Sequence, residues 1–97
     1  MLEIKDRIKK ASHNGLTVQK IFKTETAETL LITLEKGHNF PEHTSPRDAL
    51  LVMLEGKIKF FIQNEEYNIK RQETFSFPAN EPHHLLAIEN SKFLIIR

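Results

Sequence analysis

From Thr17 onward the chain breaks into short runs rich in Val, Ile, Leu and Phe, separated by polar turn signals. This pattern predicts strands at 17–23, 29–35, 49–55, 57–63, 66–69, 74–77, 83–89 and 92–96. Ile58, Phe60 and Ile62 alternate with polar neighbours, apart from Phe61, as a half-buried strand should. Asn14-Gly15, Lys36-Gly37, Gly56, Asn64-Glu65, Pro78 and Asn90-Ser91 mark the turns. About eight short strands at regular spacing predict an all-β sandwich or barrel. Ahead of them, Leu2, Ile4 and Ile8 predict a short amphipathic helix or an arm packed on the body, within 1–16. The stretch between Gly37 and Asp48 reads as a polar, proline-broken loop.

Two segments break the alternation. Every residue from Ala49 to Leu54 is apolar, and Leu85, Leu86, Ala87 and Ile88 also fall on both faces of a strand. A strand buried on both sides needs an outer cover. The candidates are another sheet layer, the N-terminal arm or a second subunit. A chain of 97 residues has little else to supply, which points to a homodimer.

That length allows one domain, spanning 1–97. A formal net charge of +1 gives no field that argues for nucleic acid or an anionic membrane. The longest apolar run is far short of the roughly 20 residues that cross a bilayer, and the opening MLEIKDRIKK lacks an apolar core of signal-peptide length. A soluble cytoplasmic protein is the expectation. With no cysteine, thiolate chemistry, disulfides and Cys-based zinc sites are excluded.

Five histidines, His13, His38, His43, His83 and His84, carry the remaining chemistry. His43 and His83 meet only if the strands around them are neighbours. The framework around these two resembles the cupins, small double-stranded β-helix or jelly-roll barrels. The family's first motif is Gly, five residues, His, one residue, His, then a Glu and a closing Gly. Here Gly37 is followed by His43, by Ser45 in the second His position, by Ala49 in the Glu position and by Gly56 in register. The second motif appears as Pro78, Asn80 in place of a Gly, and His83, with Gln72-Glu73 where the family has Gly-Asp. The resemblance covers 28–97.

The resemblance implies a barrel whose mouth is lined by His43, Ser45, Ala49, Met53, His83 and Leu85. Cupin metal sites commonly use three His and one Glu. Two of those positions, His43 and His83, survive here, whereas Ala49 has no donor atom and the Ser45 hydroxyl is a poor ligand beside imidazole or carboxylate. The leading expectation is therefore a small-molecule binding protein with a degenerate metal site and no cofactor. The first alternative is a metal-dependent enzyme, of isomerase or dioxygenase type, that holds Zn, Fe, Ni or Mn on His43, His83 and a third ligand from His38, Glu42, Asp48 or His84. The second is a structural or regulatory dimerisation module whose barrel is filled by side chains, with no cavity of about 300 Å³ or more. Ser45 beside His43 is a weak nucleophile-and-base pair without an orienting acid. Arg47, near the mouth, is a candidate grip for a carboxylate or phosphate.

Overall fold

The computed structural model describes all residues, 1–97. One turn of helix, α1 (Arg7–Lys10), is followed by nine strands: β1 (Leu16–Lys23), β2 (Glu28–Leu34), β3 (Asn39–His43), β4 (Ala49–Glu55), β5 (Lys57–Ile62), β6 (Glu65–Lys70), β7 (Thr74–Phe77), β8 (His83–Ala87) and β9 (Ser91–Ile96). They form two antiparallel sheets, in the orders β1-β2-β9-β4-β7 and β3-β8-β5-β6. Each sheet turns an apolar face to the other. Phe60, Phe93, Leu51, Met53 and Ile58 in this interior are fully buried. Truncating Phe60 or Phe93 to alanine costs about 3–5 kcal/mol in a core of this kind.

Eight strands follow the apolar runs of the sequence. The ninth, β3, lies where a loop was expected. Pro41 removes a backbone donor, so this segment can serve only at an edge, and β3 is the outermost strand of its sheet. Its pairing with β8 runs Asn39 with Leu86, Phe40 with Leu85, then His43 with His83. Three steps on β3 oppose two on β8, which is a β-bulge at Pro41 and Glu42. In a regular strand Phe40 and His43 would point to opposite faces. The bulge turns both inward, and their rings stack at 4.1 Å.

The outer faces correct a second expectation. In β4, Ala49, Leu51 and Met53 are buried, Leu50 is exposed, and Val52 and Leu54 are partly covered. In β8, His83, Leu85 and Ala87 are buried while His84 is exposed. The strand closed on both sides is instead β2, with Leu30, Ile32 and Leu34 in the core and Leu31 and Thr33 fully buried on the other side. Thr33 shares a hydroxyl hydrogen bond with Thr17 of β1.

The N-terminal arm also differs from the expected amphipathic helix. Four helical residues are too few to nucleate a stable helix alone, and Leu2 and Ile4 are fully exposed. What fastens the arm is polar. The Lys92 ammonium, buried on the outer side of β9, donates to the Ile8 carbonyl at 2.8 Å and lies 3.5 Å from the Glu55 carboxylate.

At one end of the sandwich the turns are locked together. Gly56, at φ +85°, joins β4 to β5, and a Cβ there would collide with the Asn90 carbonyl and with Ser91. Only glycine permits that approach. The Ser91 hydroxyl accepts the Lys57 amide at 3.1 Å and donates to the Glu89 carbonyl at 2.8 Å. Asn90 Oδ1 accepts the Lys36 amide at 2.8 Å.

Candidate functional site

The opposite end of the sandwich is open. A cavity of about 200 Å³ runs inward from it, and nine of its fourteen lining residues are hydrophobic. Edge strands of both sheets contribute to its wall, Val18 from β1 and Phe40 from β3. Its polar groups gather at the mouth: His43 and Ser45 around the β3–β4 loop, His83 at the start of β8, and Arg97 immediately beyond β9. The loops that carry them are braced. The Ala79 amide donates to Asp48 Oδ1 at 2.9 Å and the Asn80 amide to the Ser45 carbonyl at 2.8 Å, which ties the β3–β4 and β7–β8 loops together. Arg47 donates to the Thr26 carbonyl at 2.7 Å and secures the β1–β2 turn. Its guanidinium is therefore partly spent on the backbone.

His43 and His83 are direct partners across the β3–β8 ladder, with ring centroids 4.2 Å apart. Each ring is oriented in the same way. Nδ1 of His43 lies 2.7 Å from the Pro41 carbonyl, and Nδ1 of His83 lies 2.9 Å from the Glu81 carbonyl. A carbonyl only accepts, so both Nδ1 atoms carry the proton in the neutral rings. Neither Nε2 has a hydrogen-bond partner in the protein, so each lining imidazole keeps a free acceptor. Aromatic rings pack around them, with Phe40 on His43 and with Phe60 and Phe77 on His83. Burial among these rings lowers the pKa of His83 below its ordinary 6.5. The Glu81 carbonyl opposes the shift, while the neighbouring His43 and Arg97 add to it.

Of the residues expected at the mouth, His43, Ser45, His83 and Leu85 line the cavity. Ala49 and Met53 do not. Their inward side chains are closed over by the packed core. None of the candidate third ligands joins the pair. Asp48 accepts the Ala79 amide, His84 stacks on Phe61 outside the barrel at 4.5 Å, Glu42 faces an outer groove beside His84, and His38 is exposed near Gly15. No group of three His, Asp or Glu side chains converges anywhere in the molecule. Two imidazoles fall short of the three protein ligands that catalytic metal sites usually keep, and a guanidinium has only donors and cannot act as a third. The Ser45 hydroxyl donates to the Arg47 carbonyl at 2.7 Å rather than to His43, which removes the nucleophile-and-base reading.

Arg97 is the residue the sequence reasoning missed. It sits two positions beyond the inward Ile95, so it shares the interior face. Period two along β9 was the available signal. Its Nε donates to Glu28 Oε1 at 2.8 Å and its Nη1 to the Ser45 hydroxyl at 3.3 Å. Glu28 also faces Lys20 at 3.2 Å. Hydrogen bonds from Arg97 and then Lys20 hold the Glu28 carboxyl below its ordinary 4.5.

This chain belongs to the cupin family: the family model described as a cupin domain matches residues 30–96. Solved structures with the same fold include a conserved protein of unknown function from Streptococcus pyogenes (23% identity, 99% of this chain and 86% of that one, TM-score 0.84). Another is an RmlC-like cupin with a double-stranded β-helix fold from Methanocaldococcus jannaschii (21% identity, 100% and 91%, TM-score 0.85). A third is the DMSP lyase DddQ from Ruegeria pomeroyi (12% identity, 84% and 46%, TM-score 0.78). At these identities the likeness is one of fold, and a fold shared by a lyase and a protein of unknown function names no activity. No curated protein matches the sequence. No helix is long and apolar enough to cross a membrane.

Proposed function

We propose that this cupin binds a small organic molecule at the open end of its barrel, in a site that has lost the ligands of a metal centre. The observation that carries the reading is the His43–His83 pair. Both rings face the cavity, both are fixed by a carbonyl on Nδ1, and both present an unpartnered Nε2. Fixing an imidazole this way is how metal-binding histidines are oriented. Here the orientation persists while Ser45 and Ala49 supply no further ligand, so the imidazoles serve as hydrogen-bond acceptors for a bound molecule. The volume of about 200 Å³ is below the ~300 Å³ at which drug-sized pockets begin, so the ligand is small.

Elemental analysis of protein purified without a chelator, paired with a small-fragment screen read by amide NMR shifts, tests this. The expected result is metal well below one per subunit, with fragment-induced shifts at His43, Thr44, Ser45 and His83. Stoichiometric metal that disappears in His43→Ala would move the assignment to the metalloenzyme.

The small volume also favours a second reading, a dimerisation module. It draws support from the outer face of the larger sheet, where Phe22, Ile96 and Leu50 lie in one cross-strand row and remain exposed. We propose a second copy of this chain as their cover. The apolar Leu2 and Ile4 of the arm find none on their own barrel, which fits a reciprocal contact. The two readings are compatible, because the cavity mouth and this row lie on different surfaces.

A further inference from the structure

We propose that the ligand is a small organic carboxylate, seated with its carboxylate on the guanidinium of Arg97 and its apolar body among Phe60, Phe77 and Phe93. The inference rests on reading the cavity as a binding site and adds the chemical class of what enters it.

Arg97 is the one permanently charged side chain that lines the cavity, and no Asp or Glu side chain lines it. A guanidinium has five N–H donors. Glu28 takes one and the Ser45 hydroxyl another, which leaves three without a protein partner. Ser45 cannot neutralise the cation. Its proton is committed to the Arg47 carbonyl, so the hydroxyl oxygen accepts from Nη1 and orients the group. Glu28 cannot fully neutralise it either, because that single carboxylate is shared between Arg97 and Lys20. Arg97 thus lines the cavity with a charge that its one carboxylate partner shares with Lys20 and with N–H donors to spare. A carboxylate matches a guanidinium fork with two parallel hydrogen bonds, and a site shielded from water strengthens them.

The position is informative as well. One step beyond the Leu50–Ile96 pair, the β4–β9 ladder reaches Ala49 and Arg97. Where a metal-binding cupin places a glutamate, this chain has a methyl group, with a fixed positive charge on the adjacent strand. The charge that the metal would have offered to an anionic ligand is supplied by the protein. The aromatic wall behind it selects an acid with an apolar body over inorganic anions, which would leave that wall wet.

The test is a titration of matched acid–amide pairs at constant ionic strength: acetate and acetamide, 3-methylbutanoate and 3-methylbutanamide, benzoate and benzamide, with inorganic phosphate alongside. Binding is read from the amide resonances of His43, Thr44, Ser45 and His83. The expected result is that at least one acid binds about tenfold or more tightly than its own amide and than phosphate. Arg97→Gln abolishes the preference and Arg97→Lys retains part of it. If amides bind as well as acids, the cavity is a binding site and the carboxylate assignment is wrong. Phosphate binding as tightly as every acid overturns the organic ligand. If no probe moves these resonances, the binding-site reading and the inference fall together. Should Arg97→Gln unfold, the acid–amide comparison on the wild type decides by itself.

Discussion

His43 and His83 face each other as direct ladder partners: His83 turns inward by the regular alternation of β8, and His43 does so because a bulge at Pro41 and Glu42 shifts β3 by one residue. The packing of this pair makes stability depend on pH. Burial holds the folded-state pKa of His83 below its ordinary 6.5, so the unfolded chain binds a proton that the folded chain rejects. Stability is therefore full above about 6.5 and declines as the pH falls below that value, by at most about 1.4 kcal/mol per unit for one proton. The decline from this group ends once the pH passes the folded-state pKa. Glu28 acts in the same direction lower down, below its ordinary 4.5, where protonation releases its two cations. Thermal unfolding between about pH 7.5 and 5.5 measures the first effect. His83→Phe, among Phe60 and Phe77, should flatten the slope; an unchanged slope would place the titration elsewhere.

Gln72 and Asn80 stand where the cupin motifs carry glycine, and both keep the left-handed backbone, at φ 69° and 65°. Asparagine tolerates this region better than glutamine does. Gln72→Gly should stabilise the protein by about 1 kcal/mol, a rise in Tm of roughly 4–8 °C for a domain of this size. A lower Tm would show that the β6–β7 turn carries no strain at this residue.

Restoring the missing donors should restore metal binding. Ser45→His with Ala49→Glu refills both positions of the motif, and Arg97→Gln removes the competing cation. Calorimetric titration with Ni²⁺ or Zn²⁺ should give one tight site per subunit in the triple variant and none in the wild type. Retaining Arg97 should weaken that site, because a fixed positive charge opposes a divalent ion in a shielded cavity. A tight stoichiometric site in the wild type would contradict the account.

Sedimentation should show the wild type at twice the chain mass. Leu50→Glu combined with Ile96→Glu places like charges side by side in the exposed row and should yield single chains with an unaltered β-sheet spectrum. A wild type that sediments as one chain at high concentration would refute the proposed dimer.

Much of this fold is legible in the residues, and the reasons differ from element to element. β5 announces itself through Ile58, Phe60 and Ile62, because a sheet with one covered face imposes period two. β3 does not, because Pro41 signals a break and the bulge destroys the alternation between Phe40 and His43. The all-apolar run of β4 suggests burial on both faces, yet Leu50 is exposed; composition records what a face could bury, and only the neighbouring strands determine what it does. At the site, the paired histidines are readable from the motif spacing. Arg97 is legible only in part: period two along β9 gives its face, but its role depends on the fold bringing it to Glu28 and Ser45, residues 69 and 52 positions away.

The contact of Gly56 with Asn90 and Ser91 clasps the sandwich at one end. It joins two of the places where the chain crosses between sheets, β4 to β5 and β8 to β9, at the end far from His43 and His83. The hydrogen bonds of Asp48 with Ala79 and of Ser45 with Asn80 hold the crossings at the cavity end, so the two ends of the sandwich are fastened independently. A side chain at residue 56 would force the far clasp apart without touching the cavity.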